Sequence, residues 1–176
     1  GHPGLTKVPS FLTVVLGRHK GQQASAAAGK EQVGHESMES IVSGSTDVGI
    51  ALGTVLAAAR AEGLGVVPIG GIRRVPQELI EHLQLPQHTF PVAGVVIGHV
   101  DVPSHQKPRL PIGTFRHEER YDNSQLAESI ANYNQQIVQH WQNTGRNDGE
   151  NWSDSVAGYY QKVYFPDVLP ALLKQG

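Results

Sequence analysis

The chain has 176 residues, 39% hydrophobic and 17% charged, with 20 glycines, 11 prolines and no cysteine; this length and apolar content suit one compact domain and exclude intrinsic disorder. Without cysteine there is no disulfide framework, thiolate metal site or cysteine nucleophile. The balance of 14 Lys+Arg against 16 Asp+Glu gives a net charge of −2 with no basic stripe, which argues against nucleic acid as a partner.

In chain order, Pro9 and Gly17 bracket an apolar, β-branched run from Phe11 to Leu16 that predicts a buried strand. Gly21 to Gly34 is rich in Gly, Ala, Gln and Ser without an apolar period and reads as a flexible surface loop. From Ser37, a suitable N-cap, to Glu62 before Gly63 the pattern predicts one long helix. Its uncharged stretch, Val48 to Ala59 between Asp47 and Arg60, falls short of the roughly 20 residues that span a bilayer. The expectation is therefore a helix buried in the protein, with no membrane partner. Gly49, Gly53 and Ala57 recur every fourth residue and put small side chains on one face. That face suits either a dimer interface or a helix crossing within one chain.

Val66 to Ile69 predicts a second strand ending on Gly70-Gly71, Gln77 to Leu83 a short helix entered through Pro76, and Pro91 to Val100 a third strand. Pro103, Pro108 and Pro111 impose an extended segment. Two further helices follow: Ser124 to Asn143, and Ser155 to Lys174, bent or broken near Pro166 and Pro170. The whole is an α+β chain in which helices outnumber strands. No secretion-type leader is recognised, so the expected location is cytoplasmic.

Four features bear on chemistry. A glycine pair at the end of a strand permits positive φ and lets backbone N–H groups approach a flat ligand, although a sharp turn uses glycine for purely structural reasons too. Gly63, Gly65 and Gly70 lack the spacing of a dinucleotide fingerprint. Lys107 and Arg109 lie two residues apart on an extended segment, on one side, where both cations could converge on an anion such as phosphate or else simply solvate a loop. His99, Asp101 and His105 are close in sequence but lack metal-site spacing, so no metal is expected. Asp47 is either a buried base or a solvent-facing acid.

The ordered strings VVPIGGIRR (66–74), LQLPQHTFPVAGVVIGHVD (83–101), KPRLP (107–111) and HEERY (117–121), with Asn151-Trp152-Ser153-Asp154 before a C-terminal helix, together resemble the flavin-dependent nitroreductase family. The similarity is to its NADPH-dependent oxygen-insensitive nitroreductase and flavin reductase branch. It implies a nitroreductase-like α+β fold in a single domain over residues 1–176, with an antiparallel-rich central sheet, surrounding helices and a shortened N-terminus. It also implies a homodimer that binds FMN, uses NAD(P)H as co-substrate, and passes hydride through flavin N5 to nitroaromatics, quinones or free flavin. The flavin carries the chemistry, so no side chain is expected to be catalytic.

By matching positions, the backbone of Ile69, Gly70 and Gly71 would lie against the isoalloxazine ring. Lys107 and Arg109 would hold the FMN phosphate, and Arg73 and Arg146 would stand near the substrate or nicotinamide. The sequence departs from the family's pattern in three places. The His-Arg-Ser-x-Arg motif is absent, Pro68 stands where Tyr is common, and the arginine-rich loop is reduced to Arg146 beside Asp148 and Glu150. The alternative these departures leave open is a truncated, flavin-free dimeric module that acts in binding only.

Overall fold

The computed structural model describes residues 10–176. Pro9, which precedes the first predicted strand, lies outside them. The chain divides into two compact units, one running to Asp101 and including Phe165–Gly176, the other Val102–Tyr164.

The first unit is organised on a three-stranded antiparallel sheet in the order β1-β3-β2, formed by β1 (Ser10–Gly17), β2 (Gly65–Ile69) and β3 (Thr89–Gly98). β3 is central and the most deeply buried, with Phe90, Ala93 and Val95 in the core, as expected of an apolar strand paired on both edges. β1 runs along it from Ser10↔Ile97 to Gly17↔Thr89, and the register slips between Val14↔Ala93 and Val15↔Pro91, so Val92 is an extra residue on β3. Pro91, which has no N–H for the ladder, sits at this irregularity, and Pro68 sits on edge strand β2, the two settings in which a sheet tolerates proline.

Helix α1 (His19–Ala27) corrects the first part of the loop expected over 21–34. It has no buried residue, so Gln and Ala propensity shapes it rather than an apolar face. α2 (Met38–Ala61) begins where expected, its Ser37 cap accepting a hydrogen bond from the Ser40 backbone N–H. Arg18, just beyond β1, fastens this start by donating from Nε to Ser40 Oγ at 3.0 Å and from Nη2 to the Ser40 carbonyl at 2.7 Å. At Gly44 the helix presses on the sheet so closely that a Cβ would stand 2.7 Å from Leu16 Cδ1.

The expectation of a buried α2 is corrected. Only Ser40, Gly44, Val48 and Ala59 are buried, while Ile50 is 65% exposed and Asp47 is exposed, which removes the buried-base reading of that acid. α2 is the one helix among the described residues long and apolar enough to cross a membrane by length and composition; polar and small residues beyond Val48–Ala59 extend it past the stretch counted from sequence. A Cβ at Gly49 or Gly53 would meet nothing within 4 Å, so among the described residues no other element covers these two glycines.

α3 (Pro76–His82) and α6 (Val168–Gln175) close the first unit through Ile80, Phe90 and Ala171, with Leu85, Val92, Val168 and Leu172 packed around them. Gln175 donates its side-chain amide to the Thr89 carbonyl at 2.8 Å and to the Pro86 carbonyl at 3.1 Å, tying α6 to the entry of β3.

The second unit holds α4 (Leu126–Asn143) and α5 (Trp152–Tyr160). Tyr133 and Ile137 are the buried residues of α4. Asn134 donates from Nδ2 to Ser153 Oγ and accepts at Oδ1 from the Ser153 backbone N–H, and Asn151 caps α5 by accepting from the Asp154 N–H. The helix expected over 155–174 is thus two helices, α5 starting three residues earlier and α6 beginning after Pro166, with Phe165 at φ 55 between them. Pro170 falls in the first turn of α6, where a missing N–H costs no helical bond.

Candidate functional site

In the first unit, β2 ends at half-buried Ile69, paired with Gly94, and the chain turns through Gly70 into a short 3-10 turn, Gly71–Arg74. The positive φ expected here is not used. Gly70 has φ −79, and neither glycine is among the residues with φ above zero. Absence of a side chain matters instead for proximity. A Cβ on Gly70 would lie 3.0 Å from Arg73 Nη2, so the guanidinium lies over it, whereas one on exposed Gly71 would meet only Ile69 Cγ2 at 3.8 Å. Gly71 therefore offers open, unobstructed backbone, which fits the approach of a flat ring.

Arg73 is placed by the sheet. Its Nη1 donates to the carbonyl of Val92, the extra residue of β3, and its guanidinium carbon lies 5.9 Å from the centre of the Phe165 ring. β2 stops pairing at Gly94, so Arg73 satisfies a carbonyl that the edge strand no longer reaches.

In the second unit, the extended segment carrying Lys107 and Arg109 is pinned by the Tyr133 hydroxyl, which donates to the Pro108 carbonyl at 3.1 Å. The two cations turn to different neighbours. The Lys107 Nζ lies 4.8 Å from the centre of the Trp141 ring, while Arg109 folds back and donates from Nη1 to the carbonyls of Lys107 and Pro108 at 3.2 and 3.1 Å. Both side chains are exposed and neither has an acidic partner among the described residues. Among the described residues Arg109 Nε and Nη2 and the Lys107 ammonium have no hydrogen-bond partner. Two such groups fit a phosphate as separate arms rather than as one preformed fork.

Arg146 joins the same ring, its guanidinium carbon 4.5 Å from the centre of Trp141, with Nε 3.7 Å from Asp148 Oδ1. Trp141 was not singled out from sequence. Its signal was only that Tyr133, Ile137 and Trp141 repeat every fourth residue on one face of α4, a spacing that announces packing rather than cation binding. His117, Glu118 and Tyr121 of HEERY line a separate concavity of about 320 Å³ in this unit, between Pro111 and Ser129. There Asp122 accepts from the Ser124 backbone N–H at 2.8 Å, and its bonds to Ser124 hold the carboxyl below the ordinary value of 3.8. His99, Asp101 and His105 are all exposed, and among the described residues no group of three His, Asp or Glu could hold a metal ion.

Residues 21–99 match the nitroreductase family and residues 107–176 match the nitroreductase family, C-terminal domain. The chain is 46% identical over 141 residues to the FMN reductase [NAD(P)H] of Bacillus subtilis, an alignment that takes in 79% of this chain and 57% of that protein. Among solved structures, the hypothetical oxidoreductase YcnD from Bacillus subtilis is 40% identical with a TM-score of 0.93, covering 97% of this chain and 70% of that one. NfrA2 of B. megaterium is 38% identical with a TM-score of 0.92, covering 97% and 69%. The fold is nitroreductase-like, with helices around an antiparallel sheet, and the chain spans less than two thirds of the length of the curated relatives it matches.

Proposed function

We propose, from the premise that this chain belongs to the nitroreductase family, that it serves an FMN-dependent NAD(P)H oxidoreductase of nitroreductase type acting on nitroaromatics, quinones or free flavin. When bound, the flavin supplies the two-electron chemistry, taking hydride from a reduced nicotinamide and giving it to the second substrate. The chain's own part is binding and orientation. The backbone at Ile69, Gly70 and Gly71 faces the ring, Lys107 and Arg109 take the phosphate, and Arg146 meets the nicotinamide nucleotide or substrate. Arg73 stands behind the glycine turn and fixes its course.

The observation that carries this reading is the pair of exposed cations at Lys107 and Arg109, on a segment anchored by Tyr133 and without acidic partners among the described residues. A charge-assisted hydrogen bond to phosphate contributes about 1.5–3 kcal/mol, so two such contacts are large enough to govern retention. We further propose a homodimer formed through the open face of α2 and a cytoplasmic location. The test is an absorbance titration of the purified chain with FMN. Saturable perturbation of the flavin spectrum is expected; protein that leaves the spectrum unchanged overturns the assignment and leaves a flavin-free binding module.

A further inference from the structure

Trp141 brings together two cations to which the proposed function gives different partners, Lys107 for the flavin phosphate and Arg146 for the nucleotide or substrate. Their distances of 4.8 and 4.5 Å from the ring centre keep the two charged groups within about 9.3 Å of each other. The ring itself is held. Its Nε1 donates to the Glu150 carbonyl at 3.1 Å, and the Gly149 backbone lies so close against the indole that any side chain there would run into it. α4 thus offers a fixed aromatic face at the end of the helix that also pins the Pro108 carbonyl through Tyr133.

A lysine on a loop has four rotatable bonds to order before it can meet a phosphate, and that ordering subtracts from affinity. An indole face is the strongest aromatic attractor for a cation, and it leaves the ammonium's N–H groups directed outward. We infer that Trp141 is a positioning residue, holding Lys107 where the phosphate arrives and steadying Arg146 on the same ring. This rests on the assignment of Lys107 to the flavin phosphate. The attraction operates while phosphate is bound, so the ring preorganises the lysine instead of sequestering it.

The test measures FMN dissociation constants for Trp141→Phe, Trp141→Leu, Lys107→Ala and the double variant Lys107→Ala/Trp141→Leu, each checked for folding by circular dichroism. Expected are an affinity about threefold weaker for Trp141→Leu, near-native affinity for Trp141→Phe, and a double variant no weaker than Lys107→Ala. Leucine removes the π face, and the double variant separates the roles, because a merely structural ring would weaken binding whether or not Lys107 is present. Equal or tighter binding by Trp141→Leu, or additive losses in the double variant, would overturn the positioning role while leaving the phosphate assignment intact. Unchanged affinity in Lys107→Ala would instead remove that assignment and the inference with it. A measurement that needs no variant is the NMR shift of the Lys107 side-chain methylenes, which a neighbouring indole moves upfield. The upfield position is expected to persist in the FMN-bound chain, and its return to an ordinary lysine value on FMN addition contradicts the inference.

Discussion

Arg73 and Arg109 look alike in the sequence, each a cation just past a turn-forming element, yet the structure uses them in opposite ways. Arg73 is half-buried, bonded to the Val92 carbonyl and set over Phe165, whereas Arg109 is exposed and turns only Nη1 to its own segment. Both use Nη1 alone for hydrogen bonds, so the difference is one of place: a guanidinium half-buried between a strand carbonyl and a ring braces the framework, and an exposed one is open to a ligand. The same contrast separates Gly70, covered by Arg73, from Gly71, which is open.

The sharpest way to separate the two regions is to remove each in turn. Replacing Lys107 and Arg109 together by Ala is expected to cost about 3–6 kcal/mol of FMN binding, two to four orders of magnitude in affinity, with the melting temperature of the flavin-free chain unmoved. Spectral titration and a thermal melt check both halves. Arg73→Ala should do the reverse, lowering stability by about 1–3 kcal/mol through the orphaned Val92 carbonyl, seen as a lower urea midpoint. Gly71→Ala is expected to leave that midpoint within about 0.5 kcal/mol while weakening FMN roughly tenfold, because the new methyl enters open space on the ligand side; Gly70→Ala, pressed against a movable arginine end, tests the difference.

On α2 the contrast lies between Gly44, against Leu16, and Gly53, against nothing among the described residues. Gly53→Leu should preserve the fold and gain up to about 1 kcal/mol of helix stability, yet shift a dimer toward monomer in sedimentation if the open face is the interface. The smallest effect concerns Asp122. Its carboxyl is lowered in the folded chain, so its contribution is present above the ordinary value of 3.8 and is lost as pH falls through the folded value. Faster exchange of the Ser124 amide below that pH, beyond the intrinsic trend, is the expected sign.

Strands and the long helix were legible because β-branched runs, Ser37 and the flanking glycines each act locally. Helix α1 was missed because it buries nothing and so writes no apolar period. The exposure of α2 was also unreadable, since an apolar helix looks the same whether it is covered by its own chain or left open. At the site, sequence named the glycine turn and the cations. It could not show that β2 stops pairing at Gly94 and so leaves the Val92 carbonyl to Arg73, because that end point depends on the register between β2 and β3. It also gave no sign that Trp141, eight positions beyond Tyr133, receives Lys107 and Arg146.

The most direct examination of the phosphate assignment is to compare the chain's affinity for FMN with that for riboflavin, which has the same ring and no phosphate. The account predicts a strong preference for FMN in the native chain that collapses to near parity when Lys107 and Arg109 are both alanine. Equal affinity for the two flavins in the native chain, or a preference that survives the double substitution, would contradict it.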